Sequence, residues 1–99
     1  MDDLNQIMSY LQSNKDRLQR EYHLTKIGVF GSLARNDHNV KSDIDLIVEF
    51  EENTPDLYSI KQNLSAEIRN KFKRPVDICR EKYLNPFYKK RVMSEARYV

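Results

Sequence analysis

Residues 26–50 read KIGVFGSLARNDHNVKSDIDLIVEF, and the rest of the chain is arranged around them. An apolar run (Ile27, Val29, Phe30) meets the tight pair Gly31-Ser32. A polar loop over 37–41 follows, and then Ser42-Asp43-Ile44-Asp45 lead into a second apolar run, Leu46-Ile47-Val48. The pattern predicts a strand over 26–30, a phosphate-sized turn, a short helical turn at Leu33-Ala34-Arg35, a loop, and a strand over 42–50 that begins with two carboxylates.

Side chains on a strand alternate faces, so Asp43 and Asp45 fall on one side. Carboxylates that close repel and raise each other's pKa unless a cation compensates them. Oxygen-only donors suit Mg2+ or Mn2+. Gly31 permits a backbone conformation closed to other residues. A helical turn starting at Ser32 would aim free N–H groups at phosphate. Taken singly, a Gly-Ser pair is a turn and an Asp-x-Asp is a solvated strand start. Together they place phosphate donors and metal ligands in one patch, as metal-assisted phosphoryl or nucleotidyl transfer requires.

Gly31-Ser32, ten residues, then Asp43-Ile44-Asp45 resembles the G-S-x10-D-x-D signature of the DNA polymerase β-type nucleotidyltransferase superfamily. The fuller string Gly31-Ser32-Leu33-Ala34-Arg35, then Ser42-Asp43-Ile44-Asp45-Leu46, is similar to the minimal nucleotidyltransferases, as is the C-terminal stretch 91–99. Asn36 stands where that family usually has Gly; Asn tolerates left-handed backbone conformations better than most residues. The resemblance implies a nucleotidyltransferase fold, an α/β (α+β) domain with a small mixed sheet and helices packed against it. It implies ATP as substrate and two Mg2+ ions on Asp43, Asp45 and Asp77. Gly31 and Ser32 would grip the triphosphate, and Arg35 would reach a phosphate or pair with a carboxylate. It further implies an antitoxin that transfers AMP to a tyrosine hydroxyl of a HEPN-domain toxin and so silences it. Two alternatives stand beside this: an antitoxin acting by binding alone, and a nucleotidyltransferase of small molecules such as antibiotics. The last usually carries an extra acceptor-binding domain, for which 99 residues leave no room.

The 99 residues predict a single domain over 1–99. One cysteine, Cys79, excludes an internal disulfide framework and fits a reducing cytoplasm. The start MDDLNQ has no apolar core, so no secretory signal is expected, and no apolar run reaches membrane-spanning length. Charge is uneven: residues 71–99 hold nine basic and three acidic residues, a net +6, within a chain of +2. Such a basic end could meet ATP phosphates, nucleic acid or an acidic partner. Aromatic residues do not interleave with these bases as they do in a single-strand binder, so a solvated helix face is expected and direct nucleic-acid binding is not.

Around the motif, Leu4, Ile7, Met8, Leu11, Leu18 and Tyr22 predict one helix over 3–21, capped by Asp2 or Asp3. Gly28 within a strand implies close approach of something, here read as bordering the site. Glu49, Glu51 and Glu52 read as a solvated strand exit. Thr54-Pro55 opens a helix with the stripe Leu57, Ile60, Leu64, Ile68 and Phe72. Val76-Asp77-Ile78-Cys79 predicts a third strand, which would bring Asp77 beside Asp43 and Asp45. Asn85-Pro86 opens a last helix through Phe87, Tyr88, Val92, Met93 and Ala96. Exposed aromatics there (Tyr83, Phe87, Tyr88, Tyr98) offer a contact surface for a partner.

Overall fold

In the computed structural model, residues 3–35 and 43–99 are described. Asp2, Asn36, the loop over 37–41 and Ser42 lie outside them. The centre of the fold is β2, Ile44–Phe50. Ile44, Leu46, Ile47 and Val48 are all fully buried, which requires cover on both faces of the sheet. β1, Leu24–Phe30, runs antiparallel to β2 on one side, and β3, Val76–Arg80, runs parallel to it on the other. The sheet order is β3-β2-β1-β4, mixed as expected.

A parallel neighbour cannot be reached by a hairpin; it needs a crossover, here α4, Leu57–Phe72. Its predicted stripe holds: Leu64 and Ile68 are fully buried, and Leu57, Ile60 and Phe72 pack on the same core. Its start differs from the expected Thr54-Pro55. Asp56 is the cap, its carboxylate accepting from the Ser59 N–H, while the Thr54 hydroxyl donates to the Glu51 carbonyl at 2.6 Å and closes the preceding turn.

The single first helix is in fact two, α1 (Asp3–Ser13) and α2 (Lys15–Tyr22). Asn14 makes the break. Its backbone N–H and its side-chain amide both donate to the Tyr10 carbonyl, at 3.1 and 2.9 Å, and such local side-chain bonds compete with helix continuation. Both pieces still bury the predicted residues, Leu4, Ile7, Leu11, Leu18 and Tyr22. With α4 they cover one face of the sheet. The other face carries a smaller cluster of Phe30, Ile47 and Val92, with Cys79, Leu84, Met93, Ala96 and Tyr98 packed against it. Val92 belongs to α5, Pro86–Glu95, which has Asn85 as its cap and Pro86 in its first turn as expected.

A fourth strand was not predicted. The chain leaves α5 at Ala96, and β4, Arg97–Tyr98, pairs antiparallel with β1. Two residues are too short to show a period-two pattern. The close approach at Gly28 is to this strand and not to the site: a Cβ there would lie 2.8 Å from the Arg97 carbonyl oxygen and 3.0 Å from the Tyr98 ring. Tyr98 is accordingly half-buried rather than displayed, its hydroxyl donating to Glu81 at 3.1 Å. Gly28→Val is expected to lift β4 from β1 and cost about 1–3 kcal/mol. The check is amide exchange at Val99, whose N–H donates to the Ile27 carbonyl; unchanged protection in the variant would contradict this role for Gly28.

Glu49 is also corrected. It is not solvated but accepts from the Arg80 guanidinium at 2.9 and 3.1 Å and from the Lys82 N–H at 2.7 Å. Burial pushes its carboxyl up, but the Lys82 N–H and Arg80 outweigh burial and hold it below the usual carboxylate range. None of the described helices is long and apolar enough to cross a membrane.

Candidate active site

Strand register brings the sequence-predicted residues together. Phe30, the last residue of β1, sits opposite Asp45 on β2, and Asp77 on β3 sits opposite Asp45 from the other side. Paired residues on neighbouring strands point to the same face. That face is the one with the small cluster, since Ile47 and Cys79, two residues further along, belong to it. The Ile44 N–H donates to the Pro75 carbonyl at 2.9 Å and fixes how the two strands enter side by side. Asp43, just ahead of β2, is exposed, as is Asp77; Asp45 is half-buried between β1 and β3.

Immediately after Phe30 the chain turns at Gly31, with φ +77°, into the short helix α3, Gly31–Arg35. Leu33 and Ala34 are buried and pin α3 to the body. A Cβ on Gly31 would collide with the Asp45 carboxylate. Two independent requirements therefore select glycine: a left-handed backbone and an absent side chain beside an acid. Ser32 follows it, half-buried. Gly31→Ala is expected to cost about 1–3 kcal/mol through the strained φ and to displace Asp45. Thermal denaturation reads the first effect and turnover the second; a variant equal to wild type in both would remove Gly31 from the site.

The electrostatics are those of clustered acids. Burial raises the Asp45 carboxyl to about 6, and the nearby charges of Asp77 and Asp43 add to the shift, while Arg35 opposes it. Arg35 itself pairs with Glu95 on α5 at 3.2 Å, so of its two predicted uses the described structure displays the carboxylate partner. Among the described residues no three His, Cys, Asp or Glu side chains are gathered into a cage for a metal. The donor set is instead carboxylate oxygens on adjacent strands, open to one side. That suits a hard divalent cation, which is commonly held by one or two carboxylates together with substrate phosphates.

The sequence reading did not find a cavity beside β3, lined in part by Tyr58, Lys61, Cys79 and Tyr83. One signal was available: Tyr58 is a large aromatic lying off the apolar stripe of its own helix, and it is 75% exposed.

A family model described as a nucleotidyltransferase domain matches residues 9–99. A Methanocaldococcus jannaschii protein with a provisional name as protein adenylyltransferase MJ0128 is 35% identical over the whole of both chains. Protein adenylyltransferase MntA of Thermococcus cleftensis is 32% identical, covering 97% of this chain and 95% of its own. Among solved structures, a provisionally named minimal nucleotidyltransferase superposes with a TM-score of 0.77 at 28% identity, over 96% of this chain and 94% of that one. A toxin–antitoxin structure with AMP-PNP shares the fold at a TM-score of 0.66 and 20% identity, over 88% and 70% of the two chains.

Proposed function

The chain belongs to the nucleotidyltransferase domain family, and from that premise we propose that it is an antitoxin transferring AMP from ATP to a tyrosine hydroxyl of a HEPN-domain toxin in the cytoplasm. The observation that carries this reading is the register Phe30–Asp45–Asp77, with Gly31 abutting the central acid. Support for the acceptor class comes from relatives named protein adenylyltransferase. Support for a toxin partner comes from the toxin–antitoxin complex of the same fold.

In this reading Gly31 and Ser32 receive the β- and γ-phosphates at the turn, where no side chain stands in the way. Asp43, Asp45 and Asp77 would hold Mg2+. Bound there, Mg2+ supplies charge neutralisation for the triphosphate and lowers the pKa of an attacking hydroxyl. Asp77, exposed on the open edge strand, takes the proton of the acceptor hydroxyl. The acceptor oxygen forms a bond to the α-phosphorus, the bond from that phosphorus to the bridging oxygen breaks, and pyrophosphate leaves with the electron pair. Arg35 offsets charge at Asp45 from its place beside Glu95.

Intact mass of the adjacent gene's product tests the proposal after coexpression with the wild type and with Asp45→Asn. AMP-sized increments with wild type alone are expected. A second reading is favoured by the bare aromatics on the basic C-terminal part: Phe87 is 94% exposed and Tyr83 69%. There the protein neutralises its partner by contact alone. It predicts equal neutralisation by Asp45→Asn and an unmodified partner in both cases.

A further inference from the structure

β3 is an edge strand, and beside it lies a cavity of about 500 Å3 that no role in nucleotide binding accounts for. α4 contributes Leu57, Tyr58 and Lys61 to it; β3 contributes Cys79 and Arg80, and the segment after β3 contributes Tyr83 and Leu84. We infer that this cavity receives the acceptor itself: a hydroxyl-bearing aromatic side chain carried on an acidic segment of the partner protein. The inference rests on the AMP transfer proposed above and adds the place and chemistry of the second substrate.

Three observations converge on it. The first is position. Gly31 abuts Asp45, Asp45 pairs with Asp77, and Cys79, on the face of Asp77 and two residues further along β3, lines the cavity. In an in-line displacement the attacking oxygen stands opposite the leaving group. Pyrophosphate leaving at Gly31 therefore requires the acceptor on the β3 side. The second is lining. Leu57, Leu84 and the rings of Tyr58 and Tyr83 give the cavity apolar lining of the kind that takes an aromatic ring. The third is charge. Cys79 shares the face of Asp77, and Lys61 and Arg80 line the cavity with it. Cations thus line a cavity that opens beside the strand carrying Asp77. Lys61 has no ion-pair partner among the described residues, while Arg80 and Lys82 both lie over the Tyr83 ring, at 5.0 and 5.6 Å. A hydroxyl would face the acids while acidic neighbours meet the cations.

Cys79 is the sole cysteine, so its alkylation, counted by intact mass, reports occupancy without any need for turnover. The probes are short synthetic peptides with a central tyrosine flanked by glutamates, the same peptide with glycine for tyrosine, and one with lysine flanks. The glutamate-flanked tyrosine peptide at ten times its dissociation constant is expected to slow alkylation about tenfold. The glycine and lysine versions are expected to leave the rate unchanged. Lys61→Glu should abolish protection by the glutamate peptide and confer it on the lysine peptide. No protection by the tyrosine peptide at millimolar concentration would overturn the inference. So would equal protection by the glycine version, or protection by Mg-ATP alone, which would make the cavity a nucleotide subsite. Because the assay needs no AMP transfer, its result stands apart from the fate of the proposed activity.

Discussion

Asp45→Asn is expected to lower AMP transfer about a thousandfold or more and, in the presence of a chelator, to leave the protein at least as stable as wild type. The two halves have one cause. Asp45 lies between Phe30 and Asp77, half-buried, and its carboxyl is raised to about 6 by burial, by Asp77 and by Asp43. An acid whose folded pKa exceeds its unfolded value binds its proton more tightly when folded. Stability is therefore gained as pH falls from about 6 towards the ordinary value of 3.8, and it is missing at pH 7. The missing amount is on the order of 1–3 kcal/mol, the lower part of the range allowing for solvent at the site. Asn occupies the same volume without the charge, so the penalty disappears together with the carboxylate proposed to hold the cation. Thermal denaturation in chelator and in Mg2+ checks this. Wild type should gain stability on adding Mg2+ and the variant should not. Full transfer by the variant would sink the assignment of Asp45; loss of its fold would sink the electrostatic argument.

The acids and the glycine were legible in the sequence because their chemistry is local. A strand, a Gly-Ser turn, ten residues and an Asp-Ile-Asp strand start define parity and separation without tertiary information. Asp77 was legible for a related reason. A lone acid in the short apolar run Val76–Cys79 needs an explanation, and a parallel neighbour supplies one at Asp45. What escaped the sequence reading depends on residues far apart in the chain. β4 is two residues long, and its only sequence trace is Gly28, 69 residues before Arg97. The absent side chain does mark a close approach, but the neighbour is β4 and not the site. Asn14 breaks the first helix because its side-chain amide bonds the Tyr10 carbonyl, while the apolar stripe runs on across the break. Glu49 shares the parity of Asp45, yet it is drawn to Arg80 and Lys82 at the far end of β2. Its proximity in sequence to the acids carries no chemistry.

Glu67→Ala is expected to be the most destabilising single change outside the apolar core, at about 3–5 kcal/mol. Nothing in the sequence marks Glu67; it lies on α4 between Ala66 and Ile68. In the fold it is where three helices meet. Its carboxylate accepts from Tyr10 on α1 at 2.6 Å, from Tyr22 on α2 at 2.7 Å, and from both Arg17 nitrogens at 2.6 and 3.1 Å. Only 19% of the side chain is exposed, so water does not replace these bonds. Removing the acid leaves two hydroxyls and a guanidinium without their acceptor, and groups orphaned in this way lose more than the bonds themselves contributed. The hydrogen bond from Arg17 comes first among the causes that hold the Glu67 carboxyl down at about 2; burial opposes it, and Tyr10 and Tyr22 reinforce it.

An acid depressed in the folded state contributes stability above its ordinary pKa of 4.5, and that contribution is lost as pH falls towards 2. The loss amounts to about 3 kcal/mol over that interval. Wild type should therefore lose melting temperature steeply between pH 5 and pH 2, as Glu67 takes up its proton. Glu67→Gln preserves the shape and two of the acceptor geometries without the charge. It should start lower at pH 7 and follow a flatter acid profile, so that the two curves converge at the acid end. Parallel curves would show that the acid sensitivity arises elsewhere, and that α1, α2 and α4 are held together by their apolar faces alone. AMP transfer provides the complementary control. Glu67 lies under the helical layer, on the face of the sheet away from Asp45 and Asp77. Its neutral variant should therefore retain activity at temperatures where it stays folded, whereas Asp45→Asn stays folded and inactive.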